Sequence, residues 1–402
     1  MTIRSRLRHL APWLSSSPVL RSRIDRVEMM AERARTALTH RFPVLTPLLI
    51  RPTPRSLQIA VTAHCNLRCV GCRYGRDFMP GRQLSLSMVR DLLDDARSLG
   101  VHSVRFYGGE PLLHPDLAEM IAHAVRLDVL PWVTTNGILL ADTIDSLYAA
   151  GLRRVRIGFY GVGAKYDDYV QRRDRFRRLE EGVAAVRRRY GSRVYVGINW
   201  LLMRPSCNLE DLHAAWEFAE RYSTPIQVDL VHYSLPYFSE GPDRALQFRL
   251  EDRSAVDRLV AELLRLKARR PELITQSMAG LRSIPDWLML GPAMRVPCDF
   301  RDTLWIGADG TVQLCYVTFR LGNLHQQRLR SMLFGAEHHR AACDSFRLNC
   351  PNCHCNYDRR VQKYAPANER YSRPLTGDAP SGSLRPAGIG LHWTGQTDGR
   401  AR

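Results

Sequence analysis

The 402-residue sequence lacks long apolar runs, a secretory start and a cysteine content typical of disulfide-stapled proteins. No segment reaches the roughly 18–20 consecutive apolar residues that cross a bilayer, which excludes a conventional transmembrane helix. The first residues show no apolar core followed by a small-residue cleavage site, so no signal peptide is expected. Ten cysteines in a chain of this length do not suggest a disulfide scaffold. These absences favour a protein of the reducing cytoplasm.

Lysine is also scarce, although the chain is strongly basic. The formal net charge is +18, but only three of the 58 basic residues are lysines: Lys165, Lys267 and Lys363. The arginines are spread along the chain and do not form the single basic block of a nucleic-acid-binding patch. Nucleic acid is therefore not an expected partner, while anionic substrates or surfaces suit the charge.

Nine of the ten cysteines lie in two clusters, at 65–72 and 298–355. Clustered cysteines in a non-secreted protein indicate metal sites. In the first cluster, Cys65, Cys69 and Cys72 follow an apolar run that predicts a buried strand, with the spacing C-x3-C-x2-C. Three thiolates can hold three irons of a [4Fe-4S] cluster and leave the fourth iron open to a small molecule. A zinc site completed by His64 or a distant group is the alternative.

Strand and helix patterns alternate after residue 55 and predict an α/β fold. Six strand–helix repeats indicate a parallel sheet with helices outside, and six rather than eight suggest an incomplete barrel that is open at one side. Ligands of such sheets lie at the carboxyl ends of the strands, where the cysteine loop and several polar, glycine-rich segments follow. The predicted strands are 56–64, 103–107, 132–135, 154–160, 193–203 and 226–233.

The first cysteine motif, followed by Gly108-Gly109-Glu110-Pro111 at a strand end, resembles the radical S-adenosylmethionine (SAM) superfamily over residues 56–235. The resemblance implies a partial (β/α)6 TIM-like barrel and a [4Fe-4S] cluster whose open iron binds SAM. It further implies that one electron cleaves SAM to a 5′-deoxyadenosyl radical, which takes a hydrogen atom from the substrate. A reductant such as flavodoxin or ferredoxin is the expected electron source.

The resemblance also suggests which residues bind SAM. Glycines let the backbone approach the ligand closely, and the Glu110 carboxylate can accept from the ammonium group of SAM. The family usually has an aromatic residue just before the third cysteine, but this sequence has Gly71 there, so Tyr74 is the expected substitute against the adenine. The expected SAM-binding residues are Gly108, Gly109, Glu110, Pro111, Tyr74, Thr134, Thr135 and Asn136.

The second cysteine cluster resembles the SPASM and shorter twitch extensions of radical SAM enzymes, which bind auxiliary [4Fe-4S] clusters. A hairpin around Asp309-Gly310 brings Cys298 and Cys315 near one another. One or two auxiliary clusters are expected, and a structural zinc site using His325 or His354 is the alternative. The expected ligands are Cys298, Cys315, Cys350 and Cys353, with Cys343 and Cys355 as substitutes or partial ligands of a second cluster.

These assignments divide the chain into five parts. Residues 1–55 are expected to be a basic helical extension that packs on the main domain or touches a membrane surface. The partial barrel covers 56–235, a helical linker 236–297, and a small C-terminal iron–sulfur domain 298–365. Residues 366–402, rich in Pro, Gly, Ser and Arg, are expected to be a disordered tail.

The predicted function is that of an oxidoreductase-type radical SAM enzyme. It would oxidise a carbon of a small molecule (a sugar, cyclitol, nucleotide or lipid-linked compound) with help from an auxiliary cluster. One alternative is a radical epimerase, in which Cys207 returns a hydrogen atom, although this position also suits an ordinary small residue before a helix. Another is a ribosomal-peptide maturase acting on a peptide. A third, of a different class, is a non-catalytic zinc or iron–sulfur protein that binds nucleic acid.

Overall fold

The computed structural model describes residues 18–233, 245–298, 300–315 and 318–373. Nine strands form one open sheet, whose order is β6-β5-β4-β3-β2-β1-β7-β8-β9. The strands are β1 Ser56–Thr62, β2 Ser103–Gly108, β3 Leu130–Thr135, β4 Arg154–Phe159, β5 Tyr195–Leu202, β6 Ile226–Leu230, β7 Thr303–Ile306, β8 Thr311–Gln313 and β9 Arg320–Asn323.

The first six strands are parallel neighbours in chain order, which confirms the predicted α/β partial barrel. Short helical turns occur at Thr46–Leu49 and Leu329–Met332. The longer helices are α1 Pro18–Arg41, α2 Leu86–Ser98, α3 Leu117–Arg126, α4 Leu140–Ala149, α5 Ala164–Val170, α6 Arg175–Tyr190, α7 Leu209–Tyr222, α8 Arg253–Arg269, α9 Met278–Leu290, α10 Ala336–Arg347, α11 Tyr357–Lys363 and α12 Ala365–Ser372.

The helices begin where capping side chains allow it. The Ser85 side chain accepts a hydrogen bond from the Met88 backbone at the start of α2, and Asn208 accepts one from Asp211 at the start of α7. Such caps satisfy backbone donors that have no partner inside the helix. The apolar stripe of each helix then packs on the sheet, as Val89 and Leu92 of α2 do within the main core.

The two faces of the sheet differ because side chains alternate along each strand. One face carries apolar residues such as Ile59, Phe106 and Ile157, which are fully buried in the same core as the helices. The other face carries polar and aromatic side chains on β2 to β7. This second group, called the polar face below, includes Arg105, Trp132, Thr134, Arg156, Asn199, Gln227, Asp229 and Trp305.

The second cysteine segment continues the same sheet. Strand β7 pairs parallel with β1, so that Leu57 lies opposite Leu304. The predicted hairpin is confirmed, since β8 turns back antiparallel along β7 with Trp305 opposite Gln313. Strand β9 then adds to β8. The segment after the predicted linker is thus joined to the barrel through backbone hydrogen bonds, which local sequence patterns did not indicate.

Helices α5, α11 and α12 differ from the sequence-based expectations. Helices α5 and α11 were not predicted, and α12 occupies Ala365–Ser372, where the tail was expected to begin. Tyr371 explains why this end is ordered: its ring is buried and its hydroxyl donates to Asp286 of α9, 2.6 Å away. The tail prediction for 374–402, like any prediction for residues 1–17, lies outside the described residues.

The N-terminal helix packs against the C-terminal helices. The Thr36 hydroxyl of α1 donates to the Lys363 carbonyl at 2.8 Å, and Glu32 forms an ion pair with Arg301 at 2.6 Å. Within the described ranges, the helices all fall short of the length and apolar character needed to cross a membrane.

Candidate functional site

The first three cysteines lie on the loop that leaves the carboxyl end of β1. Cys65 is exposed, while Cys69 and Cys72 are partly buried. The Cys72 amide donates to the Cys69 carbonyl at 3.2 Å, and Val70 between them donates to the Tyr169 carbonyl at 2.8 Å. The loop is therefore folded on itself and held against the end of α5, in the position that the sequence predicted for a ligand site.

The protein environment favours the protonated form of two of these thiols. The pKa of Cys65 is raised to about 12, chiefly because its thiol is removed from water although the residue as a whole is exposed, with smaller contributions from the Glu110 carboxyl and the Cys72 thiol. Burial raises the pKa of Cys69 well above its usual range, with Cys72 and Cys65 adding to the effect. A bound metal deprotonates coordinating thiols outright. The three thiols are close enough to influence one another, as the ligands of one cluster must be.

Gly108 and Gly109 fit tightly against the end of β1. A side chain on Gly108, whose φ is +144°, would place its Cβ 2.1 Å from the Thr62 carbonyl oxygen. A Cβ on Gly109 would lie 2.3 Å from the His64 oxygen. Hydrogen bonds from Gly109 to Thr62 and from Glu110 to His64 close this contact. The glycines thus allow close approach to the backbone that leads into the cysteine loop, and an approach to SAM stays a prediction.

Glu110 is completely buried and links the ends of β2 and β3. One carboxylate oxygen accepts from the Thr135 hydroxyl at 2.7 Å and from the Leu112 amide at 3.0 Å, while the other accepts from the Asn136 amide at 2.7 Å. Burial raises its pKa to about 7, and these three donors only partly offset that rise. Glu110 therefore holds the ends of β2 and β3 together. Its contact with the ammonium group of SAM stays a prediction.

The three polar residues that end β3 have different environments. Asn136 donates to Asn66 of the cysteine loop at 2.7 Å, and Thr135 is engaged with Glu110. The buried hydroxyl oxygen of Thr134, in contrast, has no hydrogen-bond partner in the described part of the chain. Thr134 faces the polar side of the sheet, so its hydroxyl is available to a ligand there. Pro111 starts a buried turn directly after Glu110.

Tyr74 packs where the cysteine loop meets the C-terminal hairpin. Its ring is 5% exposed and lies in a small apolar cluster with Ala60 and Ala308, against Cys72. The Ala308 amide donates to its hydroxyl at 3.4 Å. A second aromatic group lies nearby: Tyr160 contacts the rings of Tyr166 and Tyr169 and interacts electrostatically with the Cys69 and Cys72 thiols. A role for Tyr74 against adenine stays a prediction.

The polar face adjoins this loop and carries the buried Arg156 and the half-buried Arg105. Arg156 is 7% exposed and donates to the amide oxygens of Asn199, at 3.1 Å, and of Gln227. Gln227 in turn donates to Asp229 at 2.8 Å, and burial raises the pKa of that carboxyl. Arg105 lies among aromatic rings, 4.6 to 5.3 Å from the centres of Tyr107, Trp132 and Trp305. Cations and planar rings on one surface suit an anionic ligand with a ring system.

Four of the C-terminal cysteines line one narrow pocket. They are the four that the sequence analysis placed together: Cys298, Cys315, Cys350 and Cys353. Asn352 holds the loop between the last two, because its side chain donates to the Pro292 and Met294 carbonyls, each at 2.9 Å. The donor set is four soft thiols without a carboxylate, which suits iron–sulfur or zinc binding.

The two remaining cysteines of this segment are in different places. Cys343 packs in the main core with its thiol 3.7 Å from the Ile50 carbonyl oxygen, so the structure does not bring it to the pocket. Cys355 lies close to Cys353 and 3.2 Å from a ring nitrogen of His232, at the end of β6. Burial lowers the pKa of His232 to about 4, so its ring is neutral near pH 7.

The histidines proposed as zinc ligands do not complete a zinc site here. His325 lies beside Gly310 at the hairpin turn, and the buried His354 ring bonds to the Leu230 carbonyl at 3.1 Å. Among the described residues, no three His, Cys, Asp or Glu side chains converge closely enough to hold a single metal ion.

Cys207 lies between the end of β5 and the start of α7. It is partly buried against the main core, and its pKa is raised to about 11, chiefly by burial and also by Asp252. Its charged neighbours are Asp252 and Arg258, at and near the start of α8. These surroundings are those of a packing residue, and the proposed return of a hydrogen atom by Cys207 stays a prediction without structural support.

Comparison with known families identifies one domain. Residues 59–212 match the family model of the Radical SAM superfamily. GTP 3′,8-cyclase from Mycobacterium marinum is 38% identical over 149 residues, which are 35% of this chain and 41% of that protein. GTP 3′,8-cyclase from Streptomyces coelicolor is 38% identical over 143 residues, or 33% and 40% of the two chains. The chain thus spans about two fifths of the length of these relatives.

Solved structures share the fold over most of the chain. The native protein anSMEcpe with bound AdoMet superposes with a TM-score of 0.58 at 17% identity and covers 79% of this chain and 96% of its own. SuiB from Streptococcus suis, bound to S-adenosylmethionine, has a TM-score of 0.56 at 16% identity, and the superposition covers 84% of this chain and 76% of SuiB. At this level of identity the similarity concerns the fold alone.

Proposed function

We propose that this chain is a radical SAM enzyme that oxidises a carbon of an anionic small molecule bound on the polar face. The match of residues 59–212 to the Radical SAM superfamily supports this proposal. The family implies a [4Fe-4S] cluster and SAM. When bound, the pair supplies a 5′-deoxyadenosyl radical that abstracts a hydrogen atom. Cys65, Cys69 and Cys72 are the proposed ligands of the cluster.

The observation that carries the proposal is the position of the cysteine loop beside the polar face. Cys72 packs with Ala60 and Tyr107, whose side chains project from that face at the carboxyl ends of β1 and β2. The buried Arg156 and the unsatisfied hydroxyl of Thr134 lie on the same face. The Arg156 guanidinium donates to two neutral amides and interacts electrostatically with Asp229, and a guanidinium can bind a phosphate or carboxylate through paired hydrogen bonds. Relatives named GTP 3′,8-cyclase support a nucleotide among the candidates.

The proposed auxiliary centre is a [4Fe-4S] cluster held by the four pocket cysteines, with Cys355 as a neighbour. Its proposed role is to accept an electron from the substrate radical or to bind the substrate. Anaerobic reconstitution followed by iron and sulfide analysis tests this part. One auxiliary cluster gives about eight irons per chain and two give about twelve, at four irons per cluster.

Turnover with SAM and dithionite tests the enzyme as a whole. We expect 5′-deoxyadenosine to form, and its yield to rise with GTP more than with uncharged guanosine, because only GTP offers phosphates to Arg156. Arg156→Gln should remove this difference. Absence of both a cluster and 5′-deoxyadenosine would contradict the enzymatic proposal. Equal responses to GTP and guanosine would instead refute the anionic substrate.

A further inference from the structure

In the described part of the C-terminal segment, one buried cation has no carboxylate partner. Arg360 of α11 is 3% exposed and lines the pocket of the four cysteines. Its guanidinium lies 4.6 Å from the centre of the Trp287 ring. Across the described ranges, no carboxylate comes within ion-pair distance of Arg360, whereas its neighbour Arg359 pairs with Asp302 at 2.8 Å.

The hydrogen bonds of Arg360 all reach neutral groups. Its terminal nitrogens donate to the carbonyls of Cys353 and Val296 and, at 3.3 Å, to the Asn352 side chain. The buried Nε has no partner among the described residues. These contacts hold the backbone on both sides of the pocket, at Cys353 and next to Pro297-Cys298. They orient the guanidinium but do not neutralise its charge.

A buried, unpaired guanidinium is unfavourable unless an anion is nearby. Arginine cannot relieve the cost by losing its proton, because its pKa is above about 12. The groups near Arg360 that can become negative are the thiols of Cys298 and Cys350, which interact with it electrostatically and line the same pocket, and the Tyr233 hydroxyl, whose pKa burial raises. Cysteines are metal ligands as thiolates, and a [4Fe-4S] core held by four of them is anionic overall.

We propose that Arg360 is the counter-charge and positioning residue of the auxiliary cluster and that it raises the reduction potential of that cluster. This inference rests on the auxiliary cluster of the proposed function. Reduction adds an electron to a centre that is already negative, so a nearby fixed positive charge stabilises the reduced state more than the oxidised state. Charge and hydrogen bonding around the sulfurs are established determinants of such potentials.

The test uses the full-length chain with Cys65, Cys69 and Cys72 all replaced by Ala, so that only the auxiliary centre is observed. In this background, Arg360→Gln removes the charge, Arg360→Lys keeps it, and Arg359→Gln is the matched control on the same helix. Iron and sulfide are counted, and the midpoint potential is measured by electron paramagnetic resonance during a redox titration.

We expect about four irons per chain in the background protein, at four irons per cluster. The potential should shift to a more negative value in Arg360→Gln, shift less in Arg360→Lys and stay unchanged in Arg359→Gln. Loss of iron from Arg360→Gln, with full iron content in Arg360→Lys and Arg359→Gln, would also support a stabilising role of the Arg360 charge at the cluster. An unchanged potential in Arg360→Gln at full iron content, or equal loss of iron from both Arg360 variants, would overturn the inference and leave the cluster standing. A background protein without a redox-active cluster would refute the auxiliary cluster itself.

Discussion

Single side chains at the ends of β2 and β3 hold the cysteine loop in place. Glu110 accepts three hydrogen bonds from β3 and its own turn, and Asn136 reaches the loop directly through Asn66. Each group is buried or nearly so, which makes each bond costly to lose. The Gly-Gly-Glu-Pro motif therefore supports the structure of the loop, in addition to its predicted role in SAM binding.

Glu110 should make stability depend on pH. Its pKa rises from 4.5 to about 7 on folding, so the folded chain binds the proton more tightly and stability falls as pH increases between these values. The shift corresponds to about 3 kcal/mol at most. Urea unfolding at several pH values should show this slope in the wild type and not in Glu110→Gln. The exposed Glu119→Gln is the control, and parallel curves for wild type and Glu110→Gln would contradict the expectation.

The two threonines that end β3 should respond differently to replacement by valine. Thr135→Val should destabilise the fold by about 1–3 kcal/mol, because its hydroxyl donates to Glu110 and accepts from Gly137. Thr134→Val should leave stability nearly unchanged, since that hydroxyl has no partner among the described residues, but it should weaken ligand binding. Thermal unfolding and SAM binding measured on both variants separate the two effects. Destabilisation by Thr134→Val equal to that of Thr135→Val would count against a free hydroxyl.

The C-terminal cysteines should differ in iron binding. Cys353→Ala should lose about four irons per chain, because Cys353 lines the pocket, whereas Cys343→Ala should lose none. Iron analysis after identical reconstitution checks both. Iron loss from Cys343→Ala with an intact fold would show that the pocket residues are not the complete ligand set.

At the scale of elements, the contact between β1 and the end of β2 is unusually close. Hydrogen bonds continue past the strands, from Gly109 to Thr62 and from Glu110 to His64. The carbonyl oxygens of β1 occupy the space where a side chain on either glycine would lie. The strand ends are thus locked together at the point where the cysteine loop begins, which fixes the origin of that loop.

Gly109→Ala should therefore disturb the cysteine loop. The added Cβ would lie within 2.5 Å of the His64 and Ala63 oxygens, so the backbone must move. We expect lower stability and poor reconstitution of the SAM-binding cluster. Gly335→Ala is the matched control, because a Cβ there meets nothing within 4 Å. Normal iron content at the SAM site of Gly109→Ala would refute the close fit.

At the scale of the whole molecule, one sheet carries both cysteine sites. Strand β7 covers the β1 edge of the six parallel strands, and Ala308 in the following turn bonds to Tyr74 beside the cysteine loop. Helix α1, near the start of the described chain, packs against α11 near its end. The two groups of cysteines thus belong to segments that are joined by one continuous sheet.

Removal of everything after residue 297 should expose the β1 edge. Unpaired edge strands promote association, so the truncated chain should aggregate. The control is a full-length chain with Cys350→Ala and Cys353→Ala, which loses metal ligands but keeps β7. Size-exclusion chromatography should show aggregates for the truncation and a defined species for the control. If the full-length control with the two cysteine replacements aggregates as well, the aggregation would be due to loss of the metal site and not to the exposed β1 edge.

Several features were predictable because they are local. Hydrophobic periodicity predicted the six parallel strands, and cysteine spacing predicted both groups of thiols. The environments of Thr134, Glu110 and Arg360 were not predictable, because each depends on partners from distant parts of the chain. The pairing of β7 with β1 was missed for the same reason: Leu57 and Leu304 show no local sign that they are neighbours.

The sequence by itself determined the chemistry of this protein: three cysteines after a strand, a glycine-rich strand end and a second set of cysteines around a hairpin. These follow from residue identity and short spacings, which chain geometry translates directly into strands and loops. Only the tertiary structure decided which cysteines share a pocket and, among the residues it describes, which hydroxyl stays unsatisfied and which arginine is buried without a carboxylate partner. Those outcomes depend on burial and on contacts between distant segments, which arise only when the chain packs.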